Sequence, residues 1–153
     1  ISFEIIDLEL DKFSKEINKY THTHLTPGHA KAIIKTKGFK NLNLNGIWVT
    51  CGSDPVEWYI IESFVDRGAT FMANWGMSEI GPMTINKVFY NSDQIQEVKR
   101  QETILGETYY CDWKIENNIL FVKGDTCIYN DWYNTKDLVY LNKDKMYYNG
   151  RLI

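Results

Sequence analysis

The stretch that most constrains the fold of this 153-residue sequence runs from Ile47 to Trp75. Ile47-Trp48-Val49-Thr50-Cys51 is short, apolar and rich in β-branched residues, the composition of a buried strand. A turn at Gly52-Ser53-Asp54 follows, in which Ser53 or Asp54 caps a helix and Pro55 opens it, where a missing N–H costs nothing. In VEWYIIESFVDRG, Val56, Ile60 and Phe64 recur at i, i+4 and i+8, with Trp58, Ile61 and Val65 on an adjoining face, so this helix lies between layers. Gly68 ends it, and Ala69-Thr70-Phe71-Met72-Ala73 reads as the next strand. A strand, a helix and a second strand in that order imply a parallel pair joined by a right-handed crossover.

The flanking segments extend this into an α/β unit over residues 1–82. Phe13 and Ile17 lie four apart in a polar segment, Asp11 to Tyr20, that suits a short surface helix. In THTHLTPGHAKAIIK, Thr26 can cap a second helix, Pro27 takes its first position, and Ala30, Ile33 and Ile34 form its apolar face. From residue 83 to 153 the pattern changes to short segments rich in Tyr, Val and Ile, near Lys87–Tyr90, Glu107–Trp113, Ile119–Val122, Leu138–Leu141 and Lys145–Tyr148, separated by turns such as ENN, KGD and NKDK. The expected architecture is therefore α/β followed by a β-rich subdomain, a small antiparallel barrel, within the length of one compact domain.

Charge and chemistry remove several function classes. Lys plus Arg number 17 against 20 Asp plus Glu, a formal net charge of -3 that does not attract nucleic acid. Lys123, Lys143, Lys145 and Arg151 interleave with tyrosines, but Asp125, Asp131, Asp137 and Asp144 offset them. No apolar run spans a membrane, and ISFEIIDLELDKF lacks the basic start and cleavage site of a signal peptide, so a soluble protein is expected. Cys51, Cys111 and Cys127 are too widely spaced for a zinc knuckle or redox pair and read as reduced thiols of a cytoplasmic protein. His22, His24 and His29 have no Cys or acidic partner at ligand spacing and read as surface or turn residues.

Ligands of open parallel sheets bind outside the carboxyl ends of the strands. Two loops leave such ends, CGSDP and NWGMSEIGP. The first offers backbone that can approach a flat ligand, at Gly52, Ser53 and Asp54, and the second an aromatic ring, a hydroxyl and a carboxylate at Trp75, Ser78 and Glu79. These are parts for a nucleotide with its metal: stacking by Trp75, a hydrogen bond from Ser78 to phosphate, and Mg²⁺ on Glu79. They serve equally as a core Trp, a turn Ser and a solvated loop acid.

The order of the motifs resembles the adenylate-forming superfamily, which comprises acyl-CoA synthetases, luciferases and peptide-synthetase adenylation domains. Cys51-Gly52-Ser53-Asp54-Pro55 looks like the family's Gly-Gly-Ala-Pro or Gly-Ser-Glu-Pro loop against adenine. NWGMSE is similar to its Tyr-Gly-Met-Thr-Glu motif, with Trp75 for Tyr, Gly76 and Met77 retained, Ser78 for Thr, and Glu79 as the metal ligand. DWYNTKDLVYLNKDKMYYNGR resembles its Trp-Tyr/Phe-x-Thr-Gly-Asp-Leu segment and the hairpin to Gly-Arg, which gives Asp137 the ribose hydroxyls and Arg151 ribose or phosphate. Lys136 stands where the family has Gly, and Asp54 shortens the usual Glu.

The resemblance implies a protein that activates a small carboxylic acid with ATP and Mg²⁺, forming an acyl-adenylate, with CoA or a carrier-protein thiol as acceptor. Ser78 and Glu79 would act on the phosphates and Met77 with the Gly52 loop would border the acyl group. The family's phosphate loop would lie before Ile1 and its lid domain after Ile153, so the sequence is expected to be a fragment, inactive alone. An unfinished sheet would leave an edge through which two copies could pair. The alternative is a non-catalytic adenine-nucleotide-binding or protein-interaction domain of the same fold.

Overall fold

A computed structural model describes residues 10–153, and the leading segment ISFEIIDLE considered above for a signal peptide lies outside them. The chain forms α1 (Leu10–Glu16), β1 (His22–Leu25), α2 (Pro27–Ile34), β2 (Trp48–Cys51), α3 (Trp58–Val65), β3 (Thr70–Met77), β4 (Gly81–Phe89) and α4 (Ser92–Gln96). It continues as β5 (Ile104–Gly106), β6 (Thr108–Tyr109), β7 (Asp112–Glu116), β8 (Ile119–Lys123), β9 (Tyr133–Asn142) and β10 (Lys145–Arg151). Among the described residues the strands build two five-stranded sheets. One is mixed, in the order β1-β2-β3-β4-β6; the other is antiparallel, in the order β5-β10-β9-β8-β7.

In the mixed sheet β1, β2 and β3 are parallel neighbours, with Leu25, Cys51 and Ala73 in line, and α3 connects β2 to β3. The apolar face of α3 is fully covered: Ile60, Ile61 and Phe64 have no exposure. Phe64 meets the rings of Phe39 and Phe71 at 5.1 and 5.8 Å and the edge of Phe13 at 6.5 Å, joining helices and sheet in one core. Burying a side chain of this size stabilises by about 1.5–3 kcal/mol. Thr26 caps α2, accepting a hydrogen bond from the His29 N–H, with Pro27 at the first turn.

A second core draws on both sheets: Trp75, Ile80 and Ile85 of the β3–β4 hairpin pack with Leu105, Leu120, Val122, Val139 and Met146. A half-buried ion cluster adds to this junction, with Glu107 accepting from Lys87 of β4 and Lys145 of β10. No helix among the described residues is long and apolar enough to cross a membrane.

Five sequence expectations change. First, α3 starts at Trp58, because Ser53 takes a positive φ of 86° and Glu57 is extended; Pro55 and the buried Val56 belong to the preceding loop. Second, HTHL is strand β1, held by parallel pairing to β2 that a polar four-residue segment does not announce. His22 stacks on Trp48 at 6.4 Å and His24 Nδ1 lies 2.7 Å from Thr50 Oγ1, so both histidines are surface residues of a strand. Third, β3 runs on to Met77, and Pro82 sits inside β4 at an irregularity where its missing N–H costs no ladder bond. Fourth, Asn91 and Gln94 form a capping box that starts the short helix α4. Fifth, β4 spans residue 82 and joins the first sheet with β6, and the pairing of the second sheet runs open from β5 to β7, so hydrogen bonding closes no barrel among the described residues.

Candidate functional site

A cleft of about 470 Å³ opens where the loop after β2, the β3–β4 hairpin, β5 and the ends of β9 and β10 meet. Ser53, Asp54, Trp75, Gly76, Met77, Ser78, Glu79, Asp137 and Arg151 all line it, so residues separated by up to 98 positions share one site. Gly52 alone of the nominated residues does not; it is buried behind the wall, where a Cβ would approach the Asn74 carbonyl oxygen to 2.7 Å and overlap the Asn74 side chain. The absence of a side chain lets the β2 loop lie against β3.

The hairpin carries the central residues. Trp75 pairs with Ile85, and Met77 pairs with Gly81, so Gly76 alone stands opposite residues 82–84. A Cβ on Gly76 would lie 2.8 Å from Pro82 Cα and 3.0 Å from Met83 N, which makes glycine the residue this bulge accepts. The turn then exposes Ser78 and half-buries Glu79. A strap from the β8–β9 connection holds the turn: Ile128 N–H donates to the Glu79 carbonyl at 2.9 Å and Thr126 Oγ1 donates to the Ile80 carbonyl at 2.6 Å.

The sequence offers Trp75 either as a stacking ring or as a core residue. Only 8% of it is exposed, its ring belongs to the core shared by the two sheets, and its Nε1–H donates to Asp137 Oδ2 at 2.9 Å. This bond joins the hairpin to β9. Asp137 is 5% exposed, and Arg151, its register partner on β10, brings Nε to 3.7 Å from Oδ1 while staying 54% exposed. Burial pushes the Asp137 carboxyl above its ordinary range, against the opposing pull of the Trp75 N–H and the Arg151 charge. A carboxylate so held has solvent removed and accepting capacity left for a ligand's hydroxyls.

Lys136 adopts a φ of 62°, the left-handed region, with its N–H on Asn134 Oδ1 at 2.8 Å. The glycine of the resembling motif thus has a backbone reason, and Lys136 pays a conformational cost that Gly would not. Because the Lys136 side chain is exposed, Lys136→Gly is expected to stabilise the fold by about 0.5–1 kcal/mol, the strain relieved less the added freedom of the unfolded chain. Urea unfolding reads this directly; a loss of stability would mean that the lysine side chain supports the site.

Sequence reading missed Asn74, Pro55, Val56, Thr103–Leu105 and Tyr148, which also line the cleft. Tyr148 lay inside the segment between Asp137 and Arg151, and strand alternation against the buried Tyr147 could have found it. Ile104 and Leu105 belong to a three-residue strand with no local signal, and Thr103 precedes it. Two of the thiols are held protonated: burial pushes Cys51 up to about 12 and Cys111 to about 11. Among the described residues no three His, Cys, Asp or Glu gather as a metal cage.

No protein-family profile matches the chain, and no curated protein matches it by sequence. Solved structures do match. A variant of E. coli MenE with bound OSB-AMS shares 17% identity at a TM-score of 0.71, covering 95% of this chain and 33% of that one. The amide bond synthetase McbA from Marinactinospora thermotolerans gives 15% identity and 0.77, over 95% and 35%. The anthranilate CoA ligase AuaEII in complex with anthranoyl-AMP gives 13% and 0.71, over 93% and 31%. The chain thus spans about a third of the length of each. Its fold is that of a segment of the adenylate-forming enzymes.

Proposed function

We propose that this chain is the adenylate-contacting part of an ATP-dependent ligase that activates a small carboxylic acid. The observation that carries the reading is the convergence of nine residues, nominated from three separated motifs, on one cleft. Two of the similar proteins support it through their ligands, OSB-AMS in MenE and anthranoyl-AMP in the anthranilate CoA ligase.

In this reading the acid's carboxylate attacks the α-phosphorus of ATP, pyrophosphate leaves, and an acyl-adenylate remains, to be passed to CoA or a carrier-protein thiol. The loop at Ser53 and Asp54 and the floor at Trp75 and Gly76 border the base. Asp137 accepts from the ribose hydroxyls, with its orientation fixed by the Trp75 indole, and Arg151 forks onto ribose or phosphate oxygens. Ser78 donates to the α-phosphate, and Met77 borders the acyl group. Mg²⁺ is commonly held by one or two carboxylates together with phosphate oxygens and water. Glu79, a single half-buried carboxylate on an anchored turn at the cleft wall, fits that pattern. The ion would neutralise phosphate charge there. With a third of the length of its relatives, the chain is expected to bind nucleotide without turning it over.

Calorimetric titration of the chain with ATP, with and without Mg²⁺, tests this. Mg²⁺ is expected to tighten binding, and Glu79→Ala to remove at least about tenfold of that gain, equivalent to about 1.4 kcal/mol. Unchanged metal dependence in the variant would remove Glu79 as the ligand. Absence of ATP and AMP binding would remove the nucleotide reading altogether.

A further inference from the structure

Lysine is unevenly placed along this acidic chain: residues 10–45 carry seven, against the two acids Asp11 and Glu16. With the three acids of residues 1–9 counted, lysine still leads seven to five. Lys15, Lys19, Lys35, Lys37 and Lys40 are exposed, and the topology carries them to one end of the mixed sheet. The parallel strands β1, β2 and β3 are entered there by the turn Ile17–Lys19, by residues 37–46 and by Arg67-Gly68. Hydrogen bonds tie these three segments together. Asn18 Nδ2 donates to the Asn43 carbonyl at 2.8 Å, and the Leu44 N–H donates to the Arg67 carbonyl at 2.8 Å. Arg67 Nε donates to the Phe39 carbonyl at 2.7 Å. A Cβ on Gly38 would come to 2.9 Å from Ser14 Cβ, so the turn carrying Lys37 and Lys40 lies against the helix carrying Lys15. Lys35 follows at the end of α2, which runs back to the same end of the sheet. Glu16 answers one charge, 3.3 Å from Lys19, and exposed Asp66 adds an acid next to Arg67 in the chain. The candidate cleft opens at the opposite, C-terminal ends of β2 and β3.

We propose that this basic end of the sheet adsorbs to an anionic lipid bilayer, with the cleft turned away from the membrane and open to solvent. Clusters of four to eight basic residues on one surface draw anionic headgroups, each lysine adding about fivefold to the partition. The side chains suit a bilayer better than a nucleic acid. Lysines are flexible point charges without the fork that arginine offers a phosphate, and among the described residues no exposed aromatic side chain falls between 10 and 45 to stack on a base. Phe13 and Ile17, the apolar residues of this face, are buried in the core, so no helix is free to sink into the hydrocarbon. The contact is therefore electrostatic, and salt weakens it by screening.

Co-sedimentation of the full chain with vesicles at low salt tests this. Vesicles of equal parts phosphatidylserine and phosphatidylcholine are expected to carry the protein down, and vesicles of phosphatidylcholine alone to leave it in solution. Lys37→Gln with Lys40→Gln is expected to lower the partition by about twenty-fivefold, two lysines at about fivefold each. Lys123→Gln with Lys143→Gln makes the same change in net charge on the other sheet and is expected to alter it by less than about threefold. Equal losses in the two double variants would mean that net charge acts and not this face, and would overturn the proposal. Failure of the wild type to sediment with phosphatidylserine overturns it too, whatever the variants do. Single-stranded RNA, duplex DNA and polyglutamate, each added at the charge concentration of the anionic lipid, separate the other partners. If any of them strips the protein from the vesicles, the face belongs to a nucleic acid or an acidic protein and the bilayer is ruled out.

Discussion

Asp137→Asn is expected to fold normally and to lose AMP affinity by roughly a hundredfold, two charge-assisted hydrogen bonds at about 1.5–3 kcal/mol each being weakened together. The amide oxygen of Asn still accepts from Trp75 Nε1, so the bond between hairpin and β9 survives. Asp137→Ala is expected to lose the same affinity and also about 1–3 kcal/mol of stability, because the buried indole N–H is then unpaired. The pH dependence separates these effects. Burial raises the Asp137 carboxyl above its ordinary range although Trp75 and Arg151 pull it down. The folded protein therefore keeps that proton to higher pH than the unfolded chain, whose value is near 3.9 on the usual scale, about what a free aspartate shows. Binding more protons when folded makes stability fall as pH rises from that range through the folded value, and level off above it. Asp137→Asn should flatten this segment of the stability curve. A variant that binds AMP as wild type does would remove Asp137 from the ribose site, whatever its effect on stability.

Gly76→Ala is expected to cost about 3 kcal/mol, the upper part of the overpacking range, since the obstacles to its Cβ are backbone atoms that cannot turn aside. They are Pro82 Cα at 2.8 Å, Met83 N at 3.0 Å and the Gly81 carbonyl oxygen. For a domain of this size that cost lowers the melting temperature by roughly 10 °C. The hairpin can relieve the clash only by parting β3 from β4, which displaces Ser78 and Glu79, so ATP binding should be lost even at temperatures where the variant is folded. Gly46→Ala supplies a comparison: Gly46 has a positive φ, 82°, which Gly76 does not, and nothing lies within 4 Å of a Cβ there. That substitution should cost only the backbone term, about 1–2 kcal/mol. Equal melting temperatures for the two variants would show that crowding at the bulge is not what keeps residue 76 a glycine.

Legibility in the sequence followed the range of the forces involved. The apolar spacing of α3, the cap and proline of α2, and the turns ENN and NKDK act within a few residues, and each is visible in the chain. Asn117, Asn118, Lys143 and Asp144 adopt the positive φ values that such two-residue turns require. What depended on pairing across the fold was hidden. The polar residues of β1 form a strand because β2 offers them a parallel edge. Trp75-Gly76-Met77 reads as a loop from its glycine, yet it is strand because β4 pairs with it on both sides of a bulge.

The candidate site divides along the same line. Motif resemblance named Ser53, Asp54, Trp75, Glu79, Asp137 and Arg151 without geometry, because the residue types that suit adenine, ribose and phosphate are few and their order along the chain is recognisable. Their sharing of one cleft and the indole bond from Trp75 to Asp137 follow from the packing of one sheet on the other. The amino-acid sequence by itself determined which chemical groups are present and which local elements they sit on, since propensity, capping and turn chemistry are short-range. Only the tertiary structure decided which of those groups face one another and how much water they keep, because burial and hydrogen-bond pairing between β3, β9 and β10 arise from contacts far apart in the chain.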